Sequence, residues 1–426
     1  MSHLVAKSAY KSLEERINRF PQGAAPTTTL YKILGLLFTE KEAGLVAQLP
    51  IKPFTPKTAS KVWNMPYKET IDVLDSLASR CILFDMETDG DKKYVLPPPM
   101  VGFFEFTMMR VRNDIDQKLL SELFYQYLCV EEDFIKELLD NSETRFGRAL
   151  VNETVLTAEQ SAYVLDYERA THIIENATAL GVSMCYCRHV KQHLGTNCDT
   201  PLELCLTFNQ SAKTLIKHSF AREISVTEGL ELLHQGYENN LVQFGENARN
   251  DVSFICNCCG CCCEALNATK TFGNLHPIQT SNFIPELNES SCKGCGKCAR
   301  NCPIDVIKME PDKKLLSDIK VIPFIDKDIC LGCGICARSC PNQSLILRQR
   351  EVKVITPANS VHRIVLIAIE KGKLQELIFD NKALFSHRAL AAILSSILKL
   401  SPIQKLMASQ QMKSVYLDKL LSKMKL

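Results

Sequence analysis

The sequence predicts an α+β, multidomain chain, and three observations carry that prediction. A cysteine-rich phrase of twelve residues occurs twice, CKGCGKCARNCP at 292–303 and CLGCGICARSCP at 330–341, with nine identical positions. Short runs of β-forming residues flank each copy. The N-terminal region is dominated by apolar residues at helical spacing, broken by one Asp-Gly turn, and ten further cysteines fall between the two regions. With 426 residues and 46% hydrophobic content, the chain can build about two to four domains with real cores.

Residues 1–25 read as a helical lead-in that ends at the Pro21–Pro26 break. Residues 26–100 follow the order helix, helix, helix, hairpin. Leu30–Leu49 is apolar at helical spacing. Thr55–Trp63 reads as a short helix with Thr55 as N-cap and Pro56 in its first turn. Pro66–Arg80 is longer and puts Ile71, Leu74 and Leu77 on one face. Ile82–Asp85 and Lys92–Leu96 then flank Asp89-Gly90, a strong hairpin turn.

This order resembles a winged helix-turn-helix, a resemblance of pattern that invites a DNA-binding reading. The charges oppose it. The would-be recognition helix sets Lys68 and Arg80 against Glu69, Asp72 and Asp75. The would-be wing sets Lys92 and Lys93 against Asp85, Glu87, Asp89 and Asp91. DNA affinity comes mostly from neutralising phosphates with Lys and Arg, so these acidic faces favour docking or packing over nucleic acid.

After Pro97–Pro99, residues 101–157 read as a helical linker in which Phe103, Phe104, Phe106 and Met108 serve as core. Residues 158–280 read as a mainly helical, cysteine-rich domain. Its scaffold is expected from Ala158–Leu180, with Tyr163, Tyr167, Ile173 and Ile174 on a core face. A second helix is expected to begin at a capping box of Ser225 and Glu228 and run towards Asn239. In residues 281–350, strands are expected at Asn282–Asn288, Val306–Met309, Val321–Asp326 and Leu345–Leu347. Residues 351–426 read as mainly helical, with a buried run at Val361–Ile369 and helices at Gln375–Phe379, Ala383–Leu400 and Ile403–Leu420. Lys419, Lys423 and Lys425 give that end a basic character.

The repeated phrase is C-x2-C-x2-C-x3-C-P, the ligand run of a 4Fe-4S cluster, and two copies in tandem resemble the two-cluster bacterial ferredoxin. A zinc site ordinarily pairs two C-x2-C units across a longer gap. The resemblance implies a pseudo-twofold β-α-β fold over roughly residues 283–348 and two 4Fe-4S clusters. It also implies a crossed ligand pattern. Cys292, Cys295 and Cys298 are completed by Cys340, and Cys330, Cys333 and Cys336 by Cys302. Gly294 and Gly296 let the backbone wrap closely around the first site.

The ten central cysteines fit no such template. They fall into Cys185, Cys187, Cys198 and Cys205, then CNCCGCCC at 256–263. Six thiols within eight residues are not ordinary core packing, and coordination would hold them apart around metal. A third metal site is therefore expected from Cys185, Cys187, Cys198 and Cys205, with some of Cys256, Cys258, Cys259 and Cys262 as ligands of the same or a further site. Its occupant is a further iron–sulfur cluster or, alternatively, zinc. Arg188 and His189, with His193 one helical turn on, are placed to compensate thiolate charge, a substrate or proton role being the alternative.

Adjacent cysteines with no secretory h-region, and no apolar run long enough to span a bilayer, point to a cytoplasmic protein of a reducing, oxygen-poor setting. The net charge of +2 implies no charge-driven partner. The chain carries neither a G-x-G-x-x-G after a strand nor a G-x4-G-K-[ST] loop, and no triad-like nucleophile. The expected function is low-potential, single-electron transfer to redox partner proteins. Two alternatives stand beside it: an oxidoreductase whose central cysteine site is catalytic, and a redox-sensing winged-helix regulator.

Overall fold

The computed structural model describes residues 2–88, 90–139, 142–161, 163–311 and 321–379. They fall into two compact units. The first gathers the chain up to Thr144, Thr214–Ala221 and the described residues from Val361; the second holds Arg145–Lys213 and Arg222–Ser360.

In the first unit, helices Ser2–Ile17, Thr28–Leu37 and Glu40–Val46 lead to an isolated bridge between Phe54 and Tyr94. Helices Pro56–Trp63 and Tyr67–Ser79 follow, then the antiparallel hairpin of β1 (Phe84–Thr88) and β2 (Asp91–Val95), with Phe84 opposite Val95. The Thr55 cap forms as expected: its side chain accepts from the Thr58 N–H, with Pro56 in the first turn. Segment 101–157, expected as a helical linker with an aromatic core stripe, supplies core to this unit as far as residue 144. Phe103 and Phe104 are fully buried and meet edge to face at 4.8 Å, and Phe104 continues to Phe124 and Tyr127.

Asp85, an acid of the would-be wing, lies inside the unit. It is 3% exposed, and its carboxylate receives the His218 ring at 2.8 Å and the Lys217 ammonium. Thr214 donates to the Asp85 carbonyl, and Phe84 packs with Leu215 and Phe220. The hairpin is thus covered by residues 214–221, which leave the cysteine-rich segment to join this unit. Val361–Ile369 lies within the helix Ser360–Glu370, and the next helix is Leu374–Ile378. The helices expected at 383–400 and 403–420, with Lys419, Lys423 and Lys425, lie outside the described residues. No helix among the described residues is long and apolar enough to cross a membrane.

The second unit corrects the expectation of a mainly helical central domain. It is built on a six-stranded antiparallel sheet in the order β3-β7-β8-β5-β4-β6. The strands are β3 (Gly147–Ala149), β4 (Leu180–Met184), β5 (Glu203–Phe208), β6 (Arg222–Glu223), β7 (Val242–Glu246) and β8 (Phe254–Cys258). The expected helix over 158–180 breaks into Ala158–Ser161, a single turn at Asp166–Glu168 and Ala170–Glu175, and Leu180 already opens β4. Tyr163 is exposed, whereas Ile173 and Ile174 are buried with Leu180, Val182, Leu206 and Ile255. The apolar spacing is helical across the stretch, but only Ala170–Glu175 keeps more than a turn of helix, and the stretch's last apolar residue, Leu180, pairs with Phe208 in the sheet. The Val226–Glu238 helix packs on the same core through Leu233 and Tyr237. Only half of its capping box forms: Ser225 accepts from the Glu228 N–H, but the Glu228 carboxylate turns to Arg222 at 2.7 Å.

Four further strands complete this unit: β9 (Phe283–Leu287), β10 (Ile307–Pro311), β11 (Val321–Ile325) and β12 (Leu345–Gln349). β9 pairs with β12 and β10 with β11, both antiparallel. Each strand-to-strand passage β9–β10 and β11–β12 carries one cysteine run and one short helix, Lys297–Arg300 or Ile335–Arg338. The strands that open and close one passage thus pair with those of the other, a pseudo-twofold arrangement.

Candidate metal centres

The two cysteine runs adopt one local geometry. In the first, Gly294 (φ +66°) and Gly296 (φ +69°) take left-handed backbone; in the second, Gly332 and Gly334 do the same. At Gly294 there is no room for more, because a Cβ would run into the Val321 carbonyl at the start of β11. Cys292, Cys295, Cys298 and Cys340 line one pocket with Met309 and Pro323. Backbone amides point at its sulfurs: Gly294 N–H to Cys292 Sγ at 3.5 Å and Ser344 N–H to Cys340 Sγ at 3.2 Å. Burial pushes the Cys340 thiol up, but the N–H groups of Ser344, Asn342 and Leu345 outweigh it and hold the thiol below its usual range.

The second run is deeper. Burial raises Cys330 and Cys302, drives Cys333 up to about 12 and raises Cys336 strongly. Cys333 and Cys336 each feel the charge of Cys302, and Cys298 that of Cys340 and Cys292. Cys340 of the second run thus lies with the cysteines of the first, and Cys302 lies near Cys333 and Cys336. Cys336 also feels Cys298, so the two sites adjoin. Thiols this deep are unfavourable as free anions, and the same positions become favourable for thiolates bound to cationic iron. The glycine turns, the inward amides and the fourfold sulfur lining fit 4Fe-4S clusters.

The ten central cysteines divide into two groups rather than one site. Cys198, Cys259, Cys261 and Cys262 have sulfurs all within 4.8 Å of one another. Cys198 lies 3.7 Å from Cys259 and 3.8 Å from Cys262, and Cys261 lies 3.7 Å from Cys262. The thiol of Cys259 is held down at about 5 by the Cys262 thiol; burial pushes Cys261 up to about 11.

The other six form a closed ring. The thiol of Cys185 is hydrogen-bonded with those of Cys187 and Cys205, and that of Cys205 with Cys256, all of them free cysteines. Cys256 bonds on to Cys258, Cys258 to Cys263, and Cys263 back to Cys187. Lowered and raised thiols alternate around it: Cys185, Cys256 and Cys263 are low because each accepts from two neighbours, and Cys187, Cys205 and Cys258 are high.

Strand geometry explains the ring. The β5–β8 register sets Leu206 opposite Ile255, which brings Cys205 alongside Cys256. Side chains alternate along a strand, so Cys256 and Cys258 share one face of β8 and Asn257 takes the other. Cys185 and Cys263 stand at the N-termini of the helices Tyr186–His193 and Glu264–Thr271, whose dipoles favour thiolates. Arg188 on the first helix is 1% exposed, donates to the carbonyls of Pro201 and Asn257, and lies against Cys185 and Cys205 of the ring and Cys259 of the other group. Burial works against its charge, and those sulfurs more than restore it. Burial and the Cys263 charge push the Glu264 carboxyl up to about 8, which limits negative charge beside the ring. His189 and His193 pair with each other at 3.2 Å.

Two cysteines omitted from the expected third site, Cys261 and Cys263, belong to these groups. The signal for Cys263 was its place before a helix-opening Glu264; nothing local distinguished Cys261. The pairs Cys258–Cys259 and Cys262–Cys263 each straddle the two groups, a division that spacing alone does not reveal.

The loop of the four-cysteine group adjoins the ferredoxin-like segment within this unit. Gly260 packs on Pro303, the residue after Cys302, so closely that a Cβ there would lie 2.9 Å from the Pro303 Cα. Lys270 pairs with Asp305 at 2.9 Å, and the Asn152 N–H donates to the Cys333 carbonyl.

Residues 291–344 match the family of the 4Fe-4S dicluster domain. A similar curated protein is the pyruvate synthase subunit PorD of Thermotoga maritima, 42% identical over 41 residues, which are 10% of this chain and 41% of that protein. The chain thus spans well under half the length of the curated relative it matches. No solved structure matches the chain. The match makes residues 291–344 a ferredoxin-type iron–sulfur domain; the remainder of the chain rests on its own geometry.

Proposed function

We propose that this chain is an iron–sulfur electron carrier that passes single low-potential electrons to or within an oxidoreductase system. Two 4Fe-4S clusters would be held by Cys292, Cys295, Cys298 and Cys340, and by Cys330, Cys333, Cys336 and Cys302. When bound, such clusters supply one-electron oxidation and reduction. The chain's own residues bury them, aim amides at their sulfurs and hold the two sites side by side. The similarity to a pyruvate synthase subunit supports a role beside a larger redox enzyme.

Cys198, Cys259, Cys261 and Cys262 would form a third centre. A metal–sulfur bond of ~2.3 Å in a tetrahedron puts sulfurs ~3.8 Å apart, which suits one ion rather than a cubane. Its place against Pro303, beside redox cysteines, favours iron over zinc. The observation that carries the whole reading is this contiguity: the dicluster cysteines, Pro303 and the Cys259–Cys262 loop adjoin without an intervening domain.

The winged-helix reading of residues 26–100 is supported by the helix–helix–hairpin order and the Phe54–Tyr94 bridge. Asp75 is engaged by Lys92 and Tyr94, and Asp85 by Lys217 and His218, so the hairpin is committed to packing in its own unit. That supports a docking role rather than DNA binding.

The test is metal and acid-labile sulfide analysis of protein purified without oxygen, with EPR after stepwise reduction. Interacting 4Fe-4S signals that vanish in Cys292→Ser and Cys330→Ser variants are expected. Folded, colourless protein without iron would overturn the proposal, and zinc lost specifically in Cys198→Ser would overturn the iron assignment of the third centre.

A further inference from the structure

We infer that the ring of Cys185, Cys187, Cys205, Cys256, Cys258 and Cys263 is a separate polynuclear iron–sulfur site. It is distinct from the dicluster domain and from the four-cysteine group. It rests on the iron–sulfur reading of this unit but not on the identity of the ion at Cys198.

The geometry makes a single ion unsuitable. Each thiol is in hydrogen-bond contact with two neighbours, Cys205 facing Cys256 across the β5–β8 register, and the chain of contacts closes on itself after six members. Opposite members of such a ring stand about two neighbour spacings apart, while a tetrahedral ion accepts about four thiolates at one bond length. Six converging thiolates match a group with several metal atoms, each taking an outer sulfur ligand.

The surroundings are those of an anionic centre. Four ring cysteines are buried, and Cys187 and Cys256 are half-buried. Buried thiolates need a fixed cation. Arg188 supplies it, its charge facing Cys185 and Cys205 of the ring as well as Cys259 of the neighbouring group. Glu264 directs one carboxyl oxygen to the Tyr186 hydroxyl, while the other is buried without a partner.

Position argues for iron rather than two zinc ions. The ring shares the Cys258–Cys259 and Cys262–Cys263 junctions with the four-cysteine group, and that group's Gly260 abuts Pro303. The ring therefore terminates a line of thiolate sites that starts at the dicluster domain.

Sulfide separates the possibilities, since a single ion carries none. Wild-type protein purified without oxygen should hold at least about twelve acid-labile sulfides and more than about twelve irons, against about eight sulfides for two cubanes alone. A Cys205→Ser variant should lose about four or more irons with their sulfide, whereas Cys198→Ser should lose about one iron and no sulfide. Both variants should retain the dicluster EPR signals. About eight sulfides in the wild type would overturn the ring site whether or not any variant folds. So would about two zinc ions per chain lost in Cys205→Ser. Fewer than about eight would instead sink the dicluster assignment itself.

Discussion

Asp85 shows how one carboxylate can decide what a hairpin does. Burial raises its pKa, yet the hydrogen bonds from His218 and Lys217 outweigh that and bring it down to about 2. A carboxylate lowered on folding adds stability above its unfolded value of about 3.9 and loses it as pH falls through the folded value. The difference in denaturant midpoint between wild type and Asp85→Asn should therefore be full at neutral pH and shrink as pH drops from about 4 towards 2. A pH-independent difference would assign the effect to packing alone. At neutral pH the variant should cost about 3 kcal/mol, because His218 is left against a site without its acceptor charge. Gly260 is the corresponding position in the cysteine-rich unit. A methyl group there meets the Pro303 backbone, so Gly260→Ala should cost about 1–3 kcal/mol and weaken magnetic coupling between the third centre and the dicluster domain. Unchanged EPR relaxation of the reduced clusters would refute that contact's role.

Helix Val226–Glu238 and the cysteine runs make the same argument for longer stretches of chain. The Ser225 cap is made and the reciprocal Glu228 bond is not. Ser225→Ala should thus cost about 1 kcal/mol, while Glu228→Gln should cost clearly less, its partner being the exposed Arg222. Chemical denaturation of both variants distinguishes the two; equal losses would mean that the box closes in solution. In the first cysteine run, Gly294→Ala should release iron from one cluster, since the positive φ and the Val321 carbonyl both exclude a side chain. Iron content and the lost EPR component report it. The same run was readable in advance, because three of its four sulfurs are brought together by a single loop.

For the chain as a whole, the crossed ligand pattern makes a distinctive expectation. Cys302→Ser should perturb the cluster of the second run, and Cys340→Ser that of the first, which EPR of the two singly substituted proteins would reveal. Loss of the sequence-adjacent cluster in each case would show that the runs are self-contained. Pairing β9 with β12 and β10 with β11 is what would set each fourth cysteine beside the other run.

From the sequence alone came the ferredoxin-type dicluster domain and the acid-rich hairpin, since those features are written in spacing over a few residues. The tertiary structure decided the six-stranded sheet, the capture of Asp85 by residues 214–221, and the partition of ten central thiols into four and six. These depend on strand register and on contacts between distant segments. Cys205 meets Cys256 only because β5 lies against β8, and Cys187 meets Cys263 only because two helix N-termini converge on one ring. Local chemistry marks a residue as able to bind metal; long-range pairing chooses its companions.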